Sequence, residues 1–252
     1  MQIRHSVERQ YAEFHSLFAA DFRKDLSLYL DLAAKFPGPI LEVGCATGRV
    51  LAKLGEAGYE ALGVDVSRPM LEVARRRLEP WQDRVRLADF DFRNSALFEK
   101  FDVVFATLYA FNQLIDVEEQ RLFLRHISRC MKAPGVLALD CFCPLPMMKP
   151  ETNGQWREIE RTVKGHVLKV RDKREMLTPL LERRTQIFTI DASAPAEHVA
   201  HRRYVPPQQA EQLLVEAGFE NVRYLQDYDL SNAKPYGEGE RPTGPYQLVA
   251  DR

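Results

Sequence analysis

The sequence predicts an α/β protein with a doubly wound sheet and an antiparallel β insertion. Short apolar runs alternate with helical periodicity through about residue 145, the pattern of a sheet covered by helices on both faces. Within 40–50, an apolar strand turns through Gly44 and Gly48 into a helix, as in folds that bind ligands at strand ends. From Pro144 to Tyr204 helical periodicity stops, and short alternating stretches predict antiparallel strands.

Composition places few limits on function. The 252 residues are 45% hydrophobic and 28% charged, as in ordinary globular proteins, and fit one large domain with an insertion. A net charge of -1 gives no electrostatic reason to expect a nucleic acid partner. Residues 1–9 lack an apolar signal core, and the apolar stretch 135–148 is too short to cross a bilayer. Four cysteines in apolar settings, without a Cys-x-x-Cys pair, predict reduced thiols in a cytoplasmic protein and no metal site.

The N-terminal region is predicted to be one amphipathic helix over about residues 8–36. Apolar side chains recur there at helical spacing, so the helix packs against the rest of the protein. The sequence Pro37-Gly38-Pro39 ends it before the first strand.

The turn after the first strand has the pattern Glu42-x-Gly44-x-Ala46-x-Gly48. Gly44 allows a tight turn, and small residues let a ligand approach the main chain. A dinucleotide-binding turn would instead show Gly-x-Gly-x-x-Gly and seat a pyrophosphate, which the carboxylate of Glu42 would repel. The loop therefore suits a ligand with positive charge and hydroxyl groups. An ordinary strand–turn–helix corner is the alternative.

Asp65 ends the next predicted strand, 23 residues after Glu42. One helix and one strand separate the two acids, so both reach the same edge of the sheet. A carboxylate there can accept hydrogen bonds from both hydroxyls of a ribose and would reject a ribose that carries phosphate. Ser67 and Pro69 already supply the start signal of the following helix, which leaves Asp65 available for a ligand.

The acidic glycine-rich turn resembles that of the class I S-adenosylmethionine-dependent methyltransferases, particularly those that act on small molecules. The resemblance implies a Rossmann-like seven-stranded mixed sheet and S-adenosyl-L-methionine as the cofactor, with the turn holding its amino acid end. Ala46 stands where the middle glycine of the family usually stands. The resemblance covers nearly the whole chain and is specific over about the first 145 residues.

The resemblance also assigns cofactor contacts. At the end of the third strand, 85–91, Asp89 would accept from the adenine amino group and Phe90 would pack near the ring, with Asp91 as the alternative acid one pleat along. Arg23 is a candidate for the cofactor carboxylate. The expected cofactor-binding residues are Glu42, Gly44, Cys45, Ala46, Gly48, Asp65, Val66, Met70, Asp89, Phe90, Thr107 and Leu108.

Three residues are expected to position the acceptor. The fourth strand, 101–105, leads to the switch point of a doubly wound sheet, which places Tyr109 and Asn112 near the transferred methyl group. In the family an aromatic from the N-terminal helix often reaches the sulfonium, and Tyr11 is the candidate. Packing within the core is the alternative for both tyrosines. The absence of an Asp/Asn-Pro-Pro-aromatic motif argues against nucleic acid bases or glutamine as acceptors.

The chain divides into three predicted parts. Residues 1–143 form the helical cap and cofactor-binding core, 144–205 the antiparallel insertion, and 206–252 a final helix and two closing strands. The insertion strands are expected at 157–163, 167–173, 180–190 and 197–204, with a solvated face of alternating charges favoured over a nucleic acid patch. In the family such an insertion covers the acceptor or builds a dimer contact; Trp156, Arg203 and Tyr204 are candidates for facing the acceptor.

The predicted activity is methyl transfer to nitrogen or oxygen of a small molecule by in-line displacement, in which the protein mainly aligns the nucleophile. No histidine falls at a predicted sheet-edge loop beside the methyl group, which favours an amine or an already acidic acceptor, although His5, His15, His166, His198 or His201 could fold over the site. The alternatives are a tRNA or protein methyltransferase, a cofactor-binding protein without catalysis and, least supported, a nicotinamide-dependent oxidoreductase.

Overall fold

The computed structural model describes residues 2–143, 149–237 and 244–252. The N-terminal region forms two helices, α1 (Gln2–Phe18) and α2 (Leu26–Lys35), so the prediction of a single helix over 8–36 is wrong. The chain turns between them and brings Asp25 to the guanidinium of Arg49, which donates two hydrogen bonds of 2.5 and 2.8 Å to the fully buried carboxylate. The apolar spacing continues through residues 19–25 and does not reveal this break.

Five parallel strands form the core of the larger sheet. They are β1 (Ile40–Val43), β2 (Ala61–Asp65), β3 (Val85–Asp89), β4 (Phe101–Ala106) and β5 (Met131–Cys141). The connecting helices are α3 (Arg49–Glu56), α4 (Arg68–Leu78) and α5 (Val117–Cys130). The Ser67 hydroxyl accepts a hydrogen bond from the backbone N–H of Met70 at 3.5 Å, so Ser67 is the N-cap that the sequence predicts for α4.

The insertion is a separate four-stranded antiparallel sheet. Its strands, in spatial as well as chain order, are β6 (Trp156–Val163), β7 (His166–Thr178), β8 (Leu181–Ile190) and β9 (Ala196–Arg203). Period-2 alternation and turn residues predict each strand to within a few residues, except that β7 continues to Thr178. The predicted start of the insertion, at 144–148, lies outside the described residues.

The C-terminal region completes the larger sheet. Helix α6 (Pro207–Glu216) precedes β10 (Glu220–Gln226) and β11 (Tyr246–Asp251), and β11 runs antiparallel between β10 and β5. The strand order is β10-β11-β5-β4-β1-β2-β3, which is the predicted seven-stranded mixed sheet. Strand order reverses at β1, because β2 lies on one side of it and β4 on the other. Part of the predicted Gly- and Pro-rich loop, 238–243, lies outside the described residues.

Apolar layers cover both faces of this sheet. Successive strand residues alternate between them: Leu41 and Val104 pack with α5 and α6, whereas Ile40 and Val103 pack with α2, α3 and α4. A third cluster, including Phe14 and Phe188, joins α1 to the insertion sheet. All four cysteines are buried thiols, as predicted. Among the described residues, no helix is long and apolar enough to cross a bilayer and no cluster of metal ligands occurs.

We expect Asp25→Ala to lower the free energy of unfolding by about 3–5 kcal/mol, because it leaves the largely buried Arg49 guanidinium without its counterion. Urea denaturation followed by circular dichroism measures this change. Asp31→Ala, on the exposed side of α2, the helix that follows Asp25, is the matched control and should change stability by less than about 0.5 kcal/mol. Equal stability of the two variants would contradict the assignment of the ion pair.

Candidate functional site

A cavity of about 1250 Å³ lies where the carboxyl ends of the central strands face α1 and the insertion sheet. Its floor is formed by the ends of β1, β2 and β4 and by the turns that follow them. Its other walls come from α1 and from the inner face of β7, β8 and β9. Ligand pockets for one small molecule usually enclose roughly 300–1,000 Å³, so this cavity has room for more than one.

The turn after β1 has a left-handed backbone at three positions. Gly44, Ala46 and Gly48 have φ values of 70°, 46° and 72°. A Cβ atom at Gly44 would lie 2.7 Å from the Ala110 side chain, so only glycine fits there. Gly44, Cys45 and Ala46 line the cavity, whereas Gly48 begins α3 and packs against Leu78 of α4.

Glu42 lies on the floor with one carboxylate oxygen unused. Its side chain is 1% exposed, and Oε1 accepts a 2.8 Å hydrogen bond from the Thr107 hydroxyl. Within the described part of the chain Oε2 has no hydrogen-bond partner. Burial raises the pKa of Glu42 to about 8, although the bond from Thr107 offsets part of the effect. A positively charged group placed beside Oε2 would satisfy this oxygen.

Asp65 lines the same floor and also fastens the turn. Its two oxygens accept 2.8 Å hydrogen bonds from the backbone N–H groups of Ala46 and Ser67, one at each oxygen. Burial raises the pKa of this carboxyl, while the backbone bonds lower it. Each oxygen retains a further lone pair, so Asp65 can still accept two hydroxyl hydrogen bonds. The neighbouring Val66 and Met70 line the cavity as well.

Of the two acids at the end of β3, Asp89 and Asp91, one lines the cavity. Asp89 is not among the residues that line the cavity; it pairs at 2.8 Å with Arg68, which does line it. Phe90 and Asp91 line the cavity, and Asp91 accepts hydrogen bonds from Arg93. Of the two acids that the sequence offers for an adenine amino group, Asp91 is therefore the one at the cavity.

The turn after β4 is strained where it meets the cavity. Leu108 and Tyr109 have positive φ values of 44° and 69°, and the Leu108 N–H donates to the buried Asp140 carboxylate at 3.1 Å. Thr107, Leu108 and Tyr109 all line the cavity. Backbone conformations of this kind cost energy and often occur at functional sites.

Asn112 does not line the cavity. Its amide is fully buried, donates to the Arg203 carbonyl at 2.7 Å and accepts from the Phe142 N–H at 2.8 Å. Asn112 therefore holds the end of the insertion sheet against the chain that leaves β5, and its amide is not available for an acceptor molecule. A buried amide with both ends used by the backbone cannot be recognised from residue type alone.

The N-terminal helix brings Tyr11 and His15 to the cavity. The Tyr11 ring stacks on His198 of β9, with centroids 3.4 Å apart and an interplanar angle of 6°. Arg23 does not line the cavity; Arg49, which the sequence analysis did not single out, does so. The Nε atom of Arg49 has no partner in the described ranges, although its other nitrogens bond Asp25 and the Phe22 carbonyl.

The insertion presents a different set of residues from the predicted one. Trp156 lies on the outer edge beneath Arg171 and Lys173, and Tyr204 packs against the core. The residues that line the cavity alternate along three strands: Arg174, Arg184, Gln186, His198 and Arg202. Period-2 alternation shows that such residues share a face, but it does not show which face turns inward.

Comparisons with known proteins agree with this geometry. Residues 41–137 match the family model described as a methyltransferase domain. The cypemycin N-terminal methyltransferase of a Streptomyces species is 37% identical over 106 residues, a match that covers 42% of this chain and 42% of that protein. The chain thus spans about two-fifths of the length of this curated relative.

Two solved structures are similar over nearly the whole chain. An S-adenosylmethionine-dependent methyltransferase from Clostridium acetobutylicum has a TM-score of 0.75 at 17% identity, over 96% of this chain and 98% of that one. The amino pentose methyltransferase CalS10 from Micromonospora echinaspora has a TM-score of 0.70 at 21% identity, over 95% and 96%. The fold is therefore that of the class I S-adenosylmethionine-dependent methyltransferases. Residues 41–137 resemble a methyltransferase domain, and the predicted resemblance is confirmed.

We expect the unliganded protein to lose stability as the pH rises from about 7 to 8. Below this interval His15 and His198, whose pKa values burial lowers to about 4, oppose the trend. Burial raises the pKa of Glu42 to about 8 and that of Asp140 to about 7, so the folded protein keeps protons that the unfolded chain releases near pH 4. The free energy of unfolding then falls by at most about 1.4 kcal/mol per pH unit for each group. Urea titrations at several pH values measure this slope.

Glu42→Gln should flatten the slope, because the variant has no proton to lose at this position. Glu56→Gln, at the exposed end of α3, is the control and should keep the wild-type slope. A free energy of unfolding that rises with pH over the same interval would contradict the raised pKa values of Glu42 and Asp140.

Proposed function

We propose that this protein is an S-adenosylmethionine-dependent methyltransferase that transfers a methyl group to nitrogen or oxygen of a small molecule by in-line displacement. The observation that carries the proposal is the cavity floor, in which the carboxylates of the buried Glu42 and the half-buried Asp65 flank a left-handed turn within the stretch that matches a methyltransferase domain. Two carboxylates there suit a cation with hydroxyl groups and oppose a diphosphate, so they argue against a nicotinamide dinucleotide.

The donor atoms on the floor fit S-adenosyl-L-methionine. The unused Oε2 of Glu42 would accept from its ammonium group, and Asp65 would accept from its ribose hydroxyls. Phe90 and Asp91 would contact the adenine, and the unpaired Nε of Arg49 is a candidate donor to the carboxylate. When bound, the cofactor supplies an electrophilic methyl group. The protein's task is then to hold the acceptor in line with that methyl group and to exclude water.

The walls of the cavity support a small acceptor. Helix α1 and the insertion sheet cover the floor, and the Tyr11–His198 stack joins them across the cavity. A macromolecular substrate would need this cover to open, whereas a small molecule fits beneath it. We therefore assign the insertion as a lid over the acceptor. Its outer face, with Trp156 and Val199 exposed, is where we would place a homodimer contact.

The histidines at the cavity support nitrogen as the nucleophile. Burial, with nearby arginines, lowers the pKa values of His15 and His198 to about 4, so both are neutral and weakly basic at pH 7. A general base works best when its pKa is near the operating pH, and these side chains would deprotonate an alcohol poorly. A neutral amine needs no such base. The cypemycin enzyme, an N-terminal methyltransferase by name, agrees with this preference.

We also propose a cytoplasmic location. The four buried cysteine thiols suit a reducing compartment, where disulfide bonds do not persist. Fractionation of the native host tests this location.

Two measurements test the proposed function. Calorimetry should detect binding of S-adenosylmethionine and S-adenosylhomocysteine but not of NAD. Labelled methyl transfer to a panel of small amines should exceed transfer to the matching alcohols. Cofactor binding without transfer to any amine, alcohol, tRNA or protein would favour a non-catalytic role, and an oxygen-only acceptor with an essential histidine would contradict the preference for nitrogen.

We expect Asp65→Ala to weaken binding of S-adenosylhomocysteine by about 1–3 kcal/mol, because two charge-assisted hydrogen bonds to the ribose are lost. Isothermal titration calorimetry measures the affinity. Asp83→Ala, at an exposed position between α4 and β3, should bind as the wild type does. Unchanged affinity in Asp65→Ala would remove this residue from the site.

Cofactor binding at pH 7 should release up to one proton. With a pKa of about 8, Glu42 is mostly protonated in the free protein, and an ammonium group beside it favours the ionised form. Calorimetric enthalpies in phosphate and in Tris buffer, which differ in ionisation enthalpy, measure the protons released. Glu42→Gln should abolish the release while Glu56→Gln retains it. An equal release in both variants would assign the proton to another group.

A further inference from the structure

Four arginines of the insertion sheet line the cavity, and one of them, Arg161, pairs with Asp21. In the antiparallel register Arg184 lies opposite both Arg174 of β7 and Ala200 of β9, and Glu182 lies opposite Arg202. Opposite and alternate residues share a face, so these side chains form one surface. Arg174, Arg184 and Arg202 all line the cavity, and we call them the roof arginines.

The acids on this face do not neutralise the roof arginines. Asp172 pairs with Arg184 at 2.5 Å and with Arg174 at 3.3 Å, so a single carboxylate serves two guanidinium groups. Glu182 is fully buried, and neither of its oxygens has a hydrogen-bond partner in the described ranges. Burial raises the pKa of Glu182, which favours its neutral form. On the facing helix α1, Glu8 also lines the cavity, and Asp21, in the turn after α1, pairs with Arg161.

Among the roof arginines, Arg202 has the least compensation of its positive charge by acidic partners. Its guanidinium carbon lies 5.5 Å from the Tyr109 ring centroid and 5.6 Å from that of Phe142, and no described carboxylate lies within ion-pair distance of it. Burial and the neighbouring Arg184 lower the pKa of Arg202, although the charge of Glu182, opposite it, raises it. Contact with aromatic faces recovers only part of the cost of removing a guanidinium from water. An anion entering the cavity would supply the missing partner.

Acidic groups on one side of the cavity therefore face basic groups on the other. Glu42 and Asp65 lie on the floor, where the proposed cofactor brings a positive charge, and the roof arginines lie on the opposite wall. Arginine is suited to hold carboxylate or phosphate because its planar donors form paired hydrogen bonds with them. Tyr109, beneath Arg202 and at the exit of β4, lies between the two sides.

We propose that the methyl acceptor carries a carboxylate or phosphate group, which Arg202, Arg184 and Arg174 hold against the roof while the nucleophile faces the floor. This inference rests on the proposed function, since it assigns the acceptor of that reaction. It names the roof arginines as specificity-determining residues.

The test uses the full chain saturated with S-adenosylhomocysteine and three probes of similar size: phenyl phosphate, benzoate and the neutral benzamide. Calorimetry at low ionic strength should show that at least one anion binds about 10-fold or more tightly than benzamide. The anion that binds more tightly identifies the group, phosphate or carboxylate. Added salt should weaken this preference.

Arg202→Gln should remove the preference for anions, and Arg202→Lys should restore part of it. Arg183→Gln is the matched control, because Arg183 neighbours Arg184 on β8 but lies on the outer face, paired with Glu175. This control should bind the anions as the wild type does. Arg174→Gln, at a side chain 24% exposed, provides the test if Arg202→Gln does not fold.

The affinity for S-adenosylhomocysteine distinguishes failure of the proposed anionic acceptor from failure of the proposed function. If the wild type binds S-adenosylhomocysteine but shows no preference for either anion, the proposed anionic acceptor is wrong and the proposed function stands. The same conclusion follows if the preference persists unchanged in both Arg202→Gln and Arg174→Gln. If the wild type does not bind S-adenosylhomocysteine at all, the proposed function itself fails.

Discussion

The N–H groups of Gly44 and Cys45 donate to the carbonyl of Val64 at 2.8 and 3.0 Å, and the N–H of Ala46 donates to the Asp65 carboxylate at 2.8 Å. These bonds close the turn after β1 onto the end of β2. A turn held in a left-handed conformation exposes little side chain and leaves space at the strand ends. The cavity floor depends on this closure, because without it the turn would be free to fill that space. Asp65 consequently stabilises the turn and lines the cavity at once, and its loss would affect both.

Charge separates the cavity into two regions. The floor contains carboxyl groups whose pKa values burial raises, and the roof contains guanidinium groups that outnumber their acidic partners. Each arrangement costs free energy in the unliganded protein, because buried charges lack the solvation of water. A ligand of opposite charge recovers that cost at each side. The same electrostatic constraint thus governs the proposed cofactor and the proposed acceptor, although the residues come from different sheets.

The two sheets are held together by polar as well as apolar contacts. Asn112 bonds the backbone of both Arg203 and Phe142, and Phe14 packs against Phe188 with ring centroids 4.4 Å apart. The first contact anchors the insertion to the turn after β4, and the second attaches α1 to the insertion. The insertion, which we propose as a lid, is thus attached to the elements that carry Tyr11 and Tyr109.

The sequence by itself determined the order and type of the elements, the glycine turn and the acids at the strand ends, because periodicity, turn residues and strand exits are local properties of the chain. It could not locate the break before Asp25, place Asp91 and not Asp89 at the cavity, or find Asn112 buried between backbone groups. It also could not tell which face of the insertion sheet turns inward, and so missed Arg174, Arg184 and Arg202. Those outcomes depend on contacts between residues far apart in the chain, such as Asp25 with Arg49, and on how one sheet docks over another. Only the tertiary structure decides them, because burial and pairing belong to the packed molecule and have no signature in a local pattern.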